Sequence, residues 1–309
     1  MEPVVGADGV TVDLNVTSSI TDYLGEKEYG KVESKISQPV FHVSQTSSAA
    51  TIQSSDWMLL GLHSPGSASN RKVPLDQKNR VVALLRGNVL IARPETAERL
   101  QAGGPALISS IAEYVEVGDA DAADLLSRYN GSNSAKKLRE DLDALEQNGR
   151  ARLLETACIT TRSGQRAKVQ SVGEWVYPIE MDPPEIPHEL TGPIAKGVDL
   201  VTPLSFTAFD TRNIGTTLEI DPVASHDRSI IDINVVPEIV SYFGDSKHGK
   251  AASEARMPII ATLNLSTAAT IPNGDTVLVG VHTPLDEKTK KPHPDKRGFL
   301  LMTARCLEL

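Results

Sequence analysis

Val10-Thr11-Val12-Asp13-Leu14-Asn15-Val16, and further on Ala49-Ala50-Thr51-Ile52 followed by Asp56, Gly61, His63 and Pro65, form a pattern that this chain writes twice. A constant spacing of 219 residues carries Asp13-Leu14-Asn15-Val16 onto Asp232-Ile233-Asn234-Val235, and Ala49-Ala50-Thr51-Ile52 unchanged onto Ala268-Ala269-Thr270-Ile271. The same spacing takes Tyr23 and Gly25 to Tyr242 and Gly244, Gly30-Lys31 to Gly249-Lys250, and Pro39 to Pro258. It takes Asp56, Gly61, His63 and Pro65 to Asp275, Gly280, His282 and Pro284. An ungapped register over residues 2–65 and 221–284 predicts two copies of one structural unit.

Each copy has the same local grammar. In the first strand, Val10 to Val16 or Ile230 to Val236, Val12, Leu14 and Val16 share one face while Asp13 and Asn15 share the other, which is the signature of a half-buried strand. A long connection containing Gly25 and Gly30, or Gly244 and Gly249, leads to a strand after Pro39 or Pro258. A hairpin then turns through Gln53-Ser54-Ser55-Asp56 or Pro272-Asn273-Gly274-Asp275, the second of which carries the Asn-Gly turn signal. The last strand of each unit is Arg80 to Leu85 or Gly298 to Ala304.

Residues 94–149 read as helices. Pro94 suits a first helical position, Leu107, Ile108, Ile111 and Val115 are spaced for one helical face, and Leu138, Leu142 and Leu145 stripe a last helix. Asn130-Gly131 and Asn148-Gly149 are stop signals. Strands resume over Arg152 to Thr161, turn at Ser163-Gly164, and run through Ala167 to Val172 and Phe206 to Ile220, with a Pro-rich loop at 181–204. The expected fold class is α+β, mainly β. An incomplete β-unit occupies 1–93, a helical connector 94–150 and a complete unit 151–309. The first copy starts without the lead-in that precedes the second, so the natural protein is expected to extend upstream.

Composition narrows the function classes. With 309 residues and 40% hydrophobic content the chain can bury the cores of two ordinary domains, and its 4% aromatic content favours packed strands over an aromatic ligand cleft. A formal net charge of −9 opposes nucleic acid as a partner. Lys136-Lys137 and Lys288-Thr289-Lys290-Lys291 read as solvated surface. No apolar stretch reaches the length of a membrane helix, and Met1-Glu2-Pro3 opens no export signal. Cys158 and Cys306 lack metal-ligand spacing, so the expectation is two buried thiols or one disulfide, with no metal. No glycine-rich phosphate loop is present, and no cofactor is expected.

Catalytic candidates are few. Asp210-Thr211 invites an aspartic-protease reading, but Arg212 stands where that turn needs glycine, and no second such loop exists. A hydrolase built on this chain would draw on Asp210, Asp56 and Asp275. His63 and His282 occupy equivalent strand ends, where packing is the expected role. Ser64-Pro65-Gly66 and Ser163-Gly164-Gln165 lack the turn of an exposed nucleophile.

Several ordered motifs carry a family resemblance. Thr161-Arg162-Ser163-Gly164-Gln165-Arg166-Ala167, Val176-Tyr177-Pro178, Gly215-Thr216-Thr217-Leu218-Glu219-Ile220-Asp221-Pro222, Ile231-Asp232-Ile233-Asn234-Val235-Val236-Pro237-Glu238 and the run Thr267 to Val281 follow one another. This series resembles the core domain of the bacterial secretins of type II and type III secretion, over residues 137–309 in full and 2–92 as a partial copy. The resemblance implies a non-enzymatic structural or interaction protein of the cell envelope, related to secretion or pilus assembly. It implies export to the periplasm, outer membrane or surface of a Gram-negative bacterium, with protein partners or self-assembly through strand edges and an outer-membrane association of the full-length protein.

Two departures bear on that implication. Val279-Gly280 and Leu60-Gly61 stand where secretins have Gly-Gly, and the polar stretch Lys291-Pro292-His293-Pro294-Asp295-Lys296-Arg297-Gly298-Phe299 replaces an apolar motif. The expectation is a β-unit kept as a structural or binding module. The competing expectation is an exported hydrolase, an aspartic-type protease acting on host glycoproteins or peptides.

Overall fold

The structure, a computed structural model, describes residues 2–30, 35–63, 81–89, 106–129, 134–183, 185, 204–248, 255–286, 289 and 291–307. The chain runs β1 (Glu2–Val5), β2 (Thr11–Tyr29), β3 (Ile36–Gln53), β4 (Trp57–His63), β5 (Val81–Arg86), β6 (Leu107–Gly118), α1 (Asp119–Tyr129) and α2 (Lys136–Gln147). It continues as β7 (Ala151–Arg162), β8 (Ala167–Asp182), β9 (Ser205–Ala224), β10 (Ile230–His248), β11 (Ala255–Asn264), β12 (Thr267–Pro272), β13 (Thr276–His282) and β14 (Lys296–Leu307). Two antiparallel sheets result. The long sheet has the order β1-β2-β3-β8-β9-β10-β11, with β12 also on β10, and the short sheet has the order β13-β14-β6-β7-β4-β5.

Alternation explains how the sheets stack. On β10 the inward Ile231, Ile233 and Val235 are buried while Asp232 and Asn234 are exposed, and on β2 Val12, Leu14 and Val16 are buried likewise. Those side chains meet Ile108, Ile159, Met302 and Ala304 of the short sheet in one core and Met58, Leu60 and Leu85 in another. The short sheet's other face is covered by the helices, whose Leu125, Leu138 and Leu142 pack on Val115, Val117, Phe299 and Leu301. Gly149 ends α2 with φ of +70° while its N–H reaches the Glu146 carbonyl, a left-handed stop that glycine adopts without a Cβ clash. The strands of the long sheet outreach the short one. β2 has 19 residues, which at about 3.3 Å per residue is roughly 60 Å.

The two sequence copies have matching ladders. β2 and β10 begin and end at equivalent positions, and the pairs Thr11↔Gln53 and Ile230↔Pro272 open equivalent hairpins. The ladder irregularity at Tyr23/Gly25 recurs at Tyr242/Asp245, and that at Leu59/Gly61 recurs at Leu278/Gly280. Short β1 holds to β2 by Glu2↔Asn15, as the end of β9 holds to β10 by Asp221↔Asn234. Where Ser18 lets β3 run unbroken, the equivalent Pro237 has no N–H to give, and the partner divides into β11 and β12.

The helical reading of Leu107, Ile108, Ile111 and Val115 is corrected: they lie on β6, paired with β14 on one side and β7 on the other. Both faces of β6 are covered, by the long sheet and by the helices, so its apolar residues do not alternate cleanly and their spacing imitates a helical face. Within 94–149 the described helices are α1 and α2, and Leu138 and Leu142 do form a buried stripe. Pro94, Asn130-Gly131, most of the Pro-rich loop at 181–204 and Arg80 lie outside the described residues.

Candidate functional site

The two copies meet along both sheets. In the long sheet β3 pairs with β8, from His42↔Gly173 to Ser47↔Lys168; in the short sheet β4 meets β7 through Gly61↔Ile159 and Leu62↔Cys158. At this joint Gly61 leaves room between the sheets for the Thr46 side chain of β3. A Cβ on Gly61 would lie 3.0 Å from both Thr46 Cγ2 and Thr46 Oγ1 and 3.4 Å from the Cys158 carbonyl oxygen.

Polar contacts close the joint. His42 Nε2 and Ser171 Oγ are 3.2 Å apart, Gln170 Nε2 donates to Gln45 Oε1 at 3.0 Å, and Thr161 Oγ1 donates to the Ala49 carbonyl at 3.2 Å. Ser48 Oγ donates to the Thr160 carbonyl, and Arg162 reaches round to Asp13 at 3.2 Å, which also accepts from Thr51. Toward the far end of the long sheet, Tyr29 O–H donates to the Val176 carbonyl, Lys27 Nζ lies 3.6 Å from the Trp175 ring centroid, and Trp175 stacks on Tyr242 at 4.3 Å. Sequence reasoning missed these residues. A signal existed in the alternating His42, Ser44, Thr46 and Ser48, all buried, where the other copy has Ala261, Leu263, Leu265 and Thr267.

Burial pulls the His42 pKa below the usual histidine value, with Asp22 at 4.0 Å opposing. A histidine held neutral in the folded state stabilises fully above about 6.5, its unfolded value, and loses that contribution as pH falls from there toward the lowered folded value. We therefore expect urea stability to fall from pH 7.5 to 5 with a steeper slope in the native chain than in His42→Ala. His282, also lowered by burial, acts in the same direction in both proteins and cancels from the comparison. Equal slopes would show that His42 is not linked to folding.

At the far side of the second copy both sheets end. Among the described residues β11 pairs only with β10, β12 only with β10, and β13 only with β14. Ala268 and Thr270 are exposed there, although their equivalents Ala49 and Thr51 are buried. A shallow pocket of about 240 Å³ lies over Asp221, Val223, Asp232, Asn234, Ala268 and Thr270. Thr270 Oγ1 donates to Asp232 at 2.5 Å, repeating the Thr51–Asp13 contact.

The three acidic candidates each have local partners. Asp210 accepts from the Thr211 N–H at 2.7 Å and from Tyr177 O–H at 3.2 Å; Asp275 accepts from Ser134 Oγ and the Thr276 N–H, both at 2.7 Å; Asp56 lies in the β3–β4 turn, its N–H on the Gln53 carbonyl. No hydrogen bond or ion pair among the described residues joins any two of them. His282 shares a 2.5 Å hydrogen bond with Tyr114 and stacks on its ring, a packing arrangement at a strand end. Cys158 and Cys306 are separate buried thiols, not a disulfide, and burial raises both pKa values. No helix among the described residues is long and apolar enough to cross a membrane, and no group of three metal-ligating side chains occurs among them.

Residues 144–291 match the family model Secretin, described as bacterial type II and III secretion system protein. No curated protein matches. Among solved structures, the type IV competence pilus secretin PilQ of V. cholerae is similar at 13% identity, with 67% of this chain and 62% of that one covered and a TM-score of 0.32. The secretin-domain β-barrel of InvG from the Salmonella SPI-1 injectisome is similar at 12% identity, with 96% and 89% covered and a TM-score of 0.34. The type II secretin GspD of enteropathogenic Escherichia coli is similar at 14% identity, with 66% and 68% covered and a TM-score of 0.28. This chain thus spans less than two thirds of the PilQ chain.

Proposed function

We propose, from the match of residues 144–291 to the secretin family model, that the chain is a non-enzymatic structural and interaction protein of the bacterial envelope, serving secretion or pilus assembly. The observation that carries this reading is the extent of the family match, which runs from the end of α2 through β13 and takes in the consecutive strands β7 to β13. The reading assigns the work to strand edges. The outermost strands of both sheets, which have no further strand beside them among the described residues, offer backbone N–H and C=O groups to an added strand, the means by which extended segments are commonly bound. The chain in its full-length protein is then exported in a Gram-negative cell and held at the outer membrane or in the periplasm by protein contacts.

The test is fractionation of a Gram-negative cell expressing the full-length protein, with cross-linking before lysis. The expected result is recovery with the envelope in cross-links to protein, and no cleavage of an unfolded protein substrate from pH 4 to 8. A soluble cytosolic protein without cross-linked partners would overturn the reading. So would cleavage that Asp210→Ala abolishes with the fold intact, and that result would support the hydrolase.

A further inference from the structure

The β3–β8 ladder that joins the two copies ends at its rung His42↔Gly173. Past that rung the copies touch through side chains, with Tyr29 O–H on the Val176 carbonyl and Lys27 Nζ 3.6 Å from the Trp175 ring centroid. A titratable ring therefore closes the last backbone rung of the joint, and it lies between two carboxylates of opposite exposure. Asp22, its rung partner on β2, has a side chain 64% exposed, against 6% for the ring. Glu155 on β7 is buried and is reached from the ring through two hydroxyls. His42 Nε2 lies 3.2 Å from Ser171 Oγ, Thr216 is the rung partner of Ser171, and Thr216 Oγ1 donates to Glu155 Oε2 at 3.3 Å.

From this placement we infer that His42 is an acid-sensitive latch: on taking a proton the ring turns out to Asp22, and the β3–β8 joint opens from that end. The latch acts within one chain and stands apart from the proposed function. Ala261 occupies the equivalent position of the second copy, so the device belongs to the joint alone.

The chemistry follows from the ring's two nitrogens. With Asp22 on the Nδ1 side, the neutral ring carries its proton there and accepts the Ser171 O–H at Nε2. Protonation makes Nε2 a donor, so Ser171 can no longer donate to it. A charged ring is costly beside buried Ser44, Thr46 and Ser171, whereas solvent and a carboxylate stabilise it at Asp22. On the inward face β8 presents Ser171, Gly173 and Trp175, and β9 presents Ile214 and Thr216, none of them charged. Lys27 and Arg212 stand further out at Trp175, where their positive charge disfavours a second cation inside. Glu155 alone favours an inward cation, and it already accepts from the Thr156 N–H and from Thr216. Burial holds the ring below the ordinary histidine value, with Asp22 opposing. The latch is thus closed above about 6.5 and releases as pH falls from there toward the lowered folded value.

The test uses the full chain carrying Trp57→Phe, which leaves Trp175 as its one tryptophan. Trp175 emission is followed from pH 7.5 to 5, together with backbone hydrogen exchange corrected for the intrinsic effect of pH. The expected result is a one-proton emission change with its midpoint below about 6.5, as Lys27 leaves the ring. Exchange in the β3–β8 ladder should rise about tenfold over that range while the β6–β14 ladder keeps its protection. His42→Gln, which keeps an amide donor for Ser171 and takes no proton, should remove both changes. Asp22→Asn, at an exposed position that does not endanger folding, should move the midpoint to lower pH, because the carboxylate that favours the charged ring is gone. The latch is overturned if the native chain shows no change, if His42→Gln shows the same one, or if Asp22→Asn leaves the midpoint in place or raises it. Loss of protection in β6–β14 together with β3–β8 overturns it as well, since the whole fold would then be unfolding in place of the joint.

Discussion

Gly215→Ala should cost about 3 kcal/mol or more of folding free energy, because the added methyl meets backbone that cannot turn aside. Gly215 has φ of +141°, and its Cβ would lie 2.2 Å from the Ser171 carbonyl oxygen and 2.9 Å from Val172 Cα. Both atoms belong to β8, which pairs with β9 here through Val172↔Gly215 and with the first copy through Val43↔Val172. Relieving the clash therefore displaces the strand on which the two copies meet. Gly173→Ala is the control, on the neighbouring rung, where a Cβ finds its nearest atoms at 3.8 and 3.9 Å in ordinary contact. Its cost should stay within about 1 kcal/mol. Urea denaturation of both variants decides the matter, and similar losses would show that the sheet adjusts locally at Gly215.

The parts of this fold that were legible in the sequence are those written twice. An ungapped spacing places β2 on β10, β4 on β13 and the two glycine irregularities on each other, because a slip of one residue would turn every inward side chain outward. Strand β6 was not legible. Its type depends on having a sheet on one face and helices on the other, which is a property of the assembled layers and not of residues 107–118. The joint was half legible. Open edges follow from the repeat, but that His42 would meet Ser171, 129 residues away, depends on which strand comes alongside, and local pattern is silent on long-range pairing. The acidic candidates were legible only as residue types. Asp56 and Asp275 are equivalent turn residues of two copies, so the repeat that makes them look like a pair also places them in separate turns.

Arg139→Met should cost about 3 kcal/mol, the penalty for leaving a largely buried carboxylate without its counter-charge. Arg139 on α2 forms a two-point contact with Glu113 on β6, Nε to Oε2 at 2.7 Å and Nη2 to Oε1 at 2.8 Å, with side chains only 18% and 16% exposed. Loss of the guanidinium strands Glu113 between helix and sheet, because Asp143, its other partner, carries the same charge as Glu113. Removing both charges, as Arg139→Met with Glu113→Leu, should return stability to within about 1 kcal/mol of the native chain, since the stripe of Leu138 and Leu142 can extend over the vacated site. Arg128→Met is the comparison, since Arg128 pairs with Asp124 and Asp141 at 46% exposure, where solvent weakens the attraction, and its loss should cost under about 1 kcal/mol. If the two single substitutions cost the same in urea, Glu113 reaches solvent once Arg139 is gone, and α2 is held to the sheet by its leucines alone.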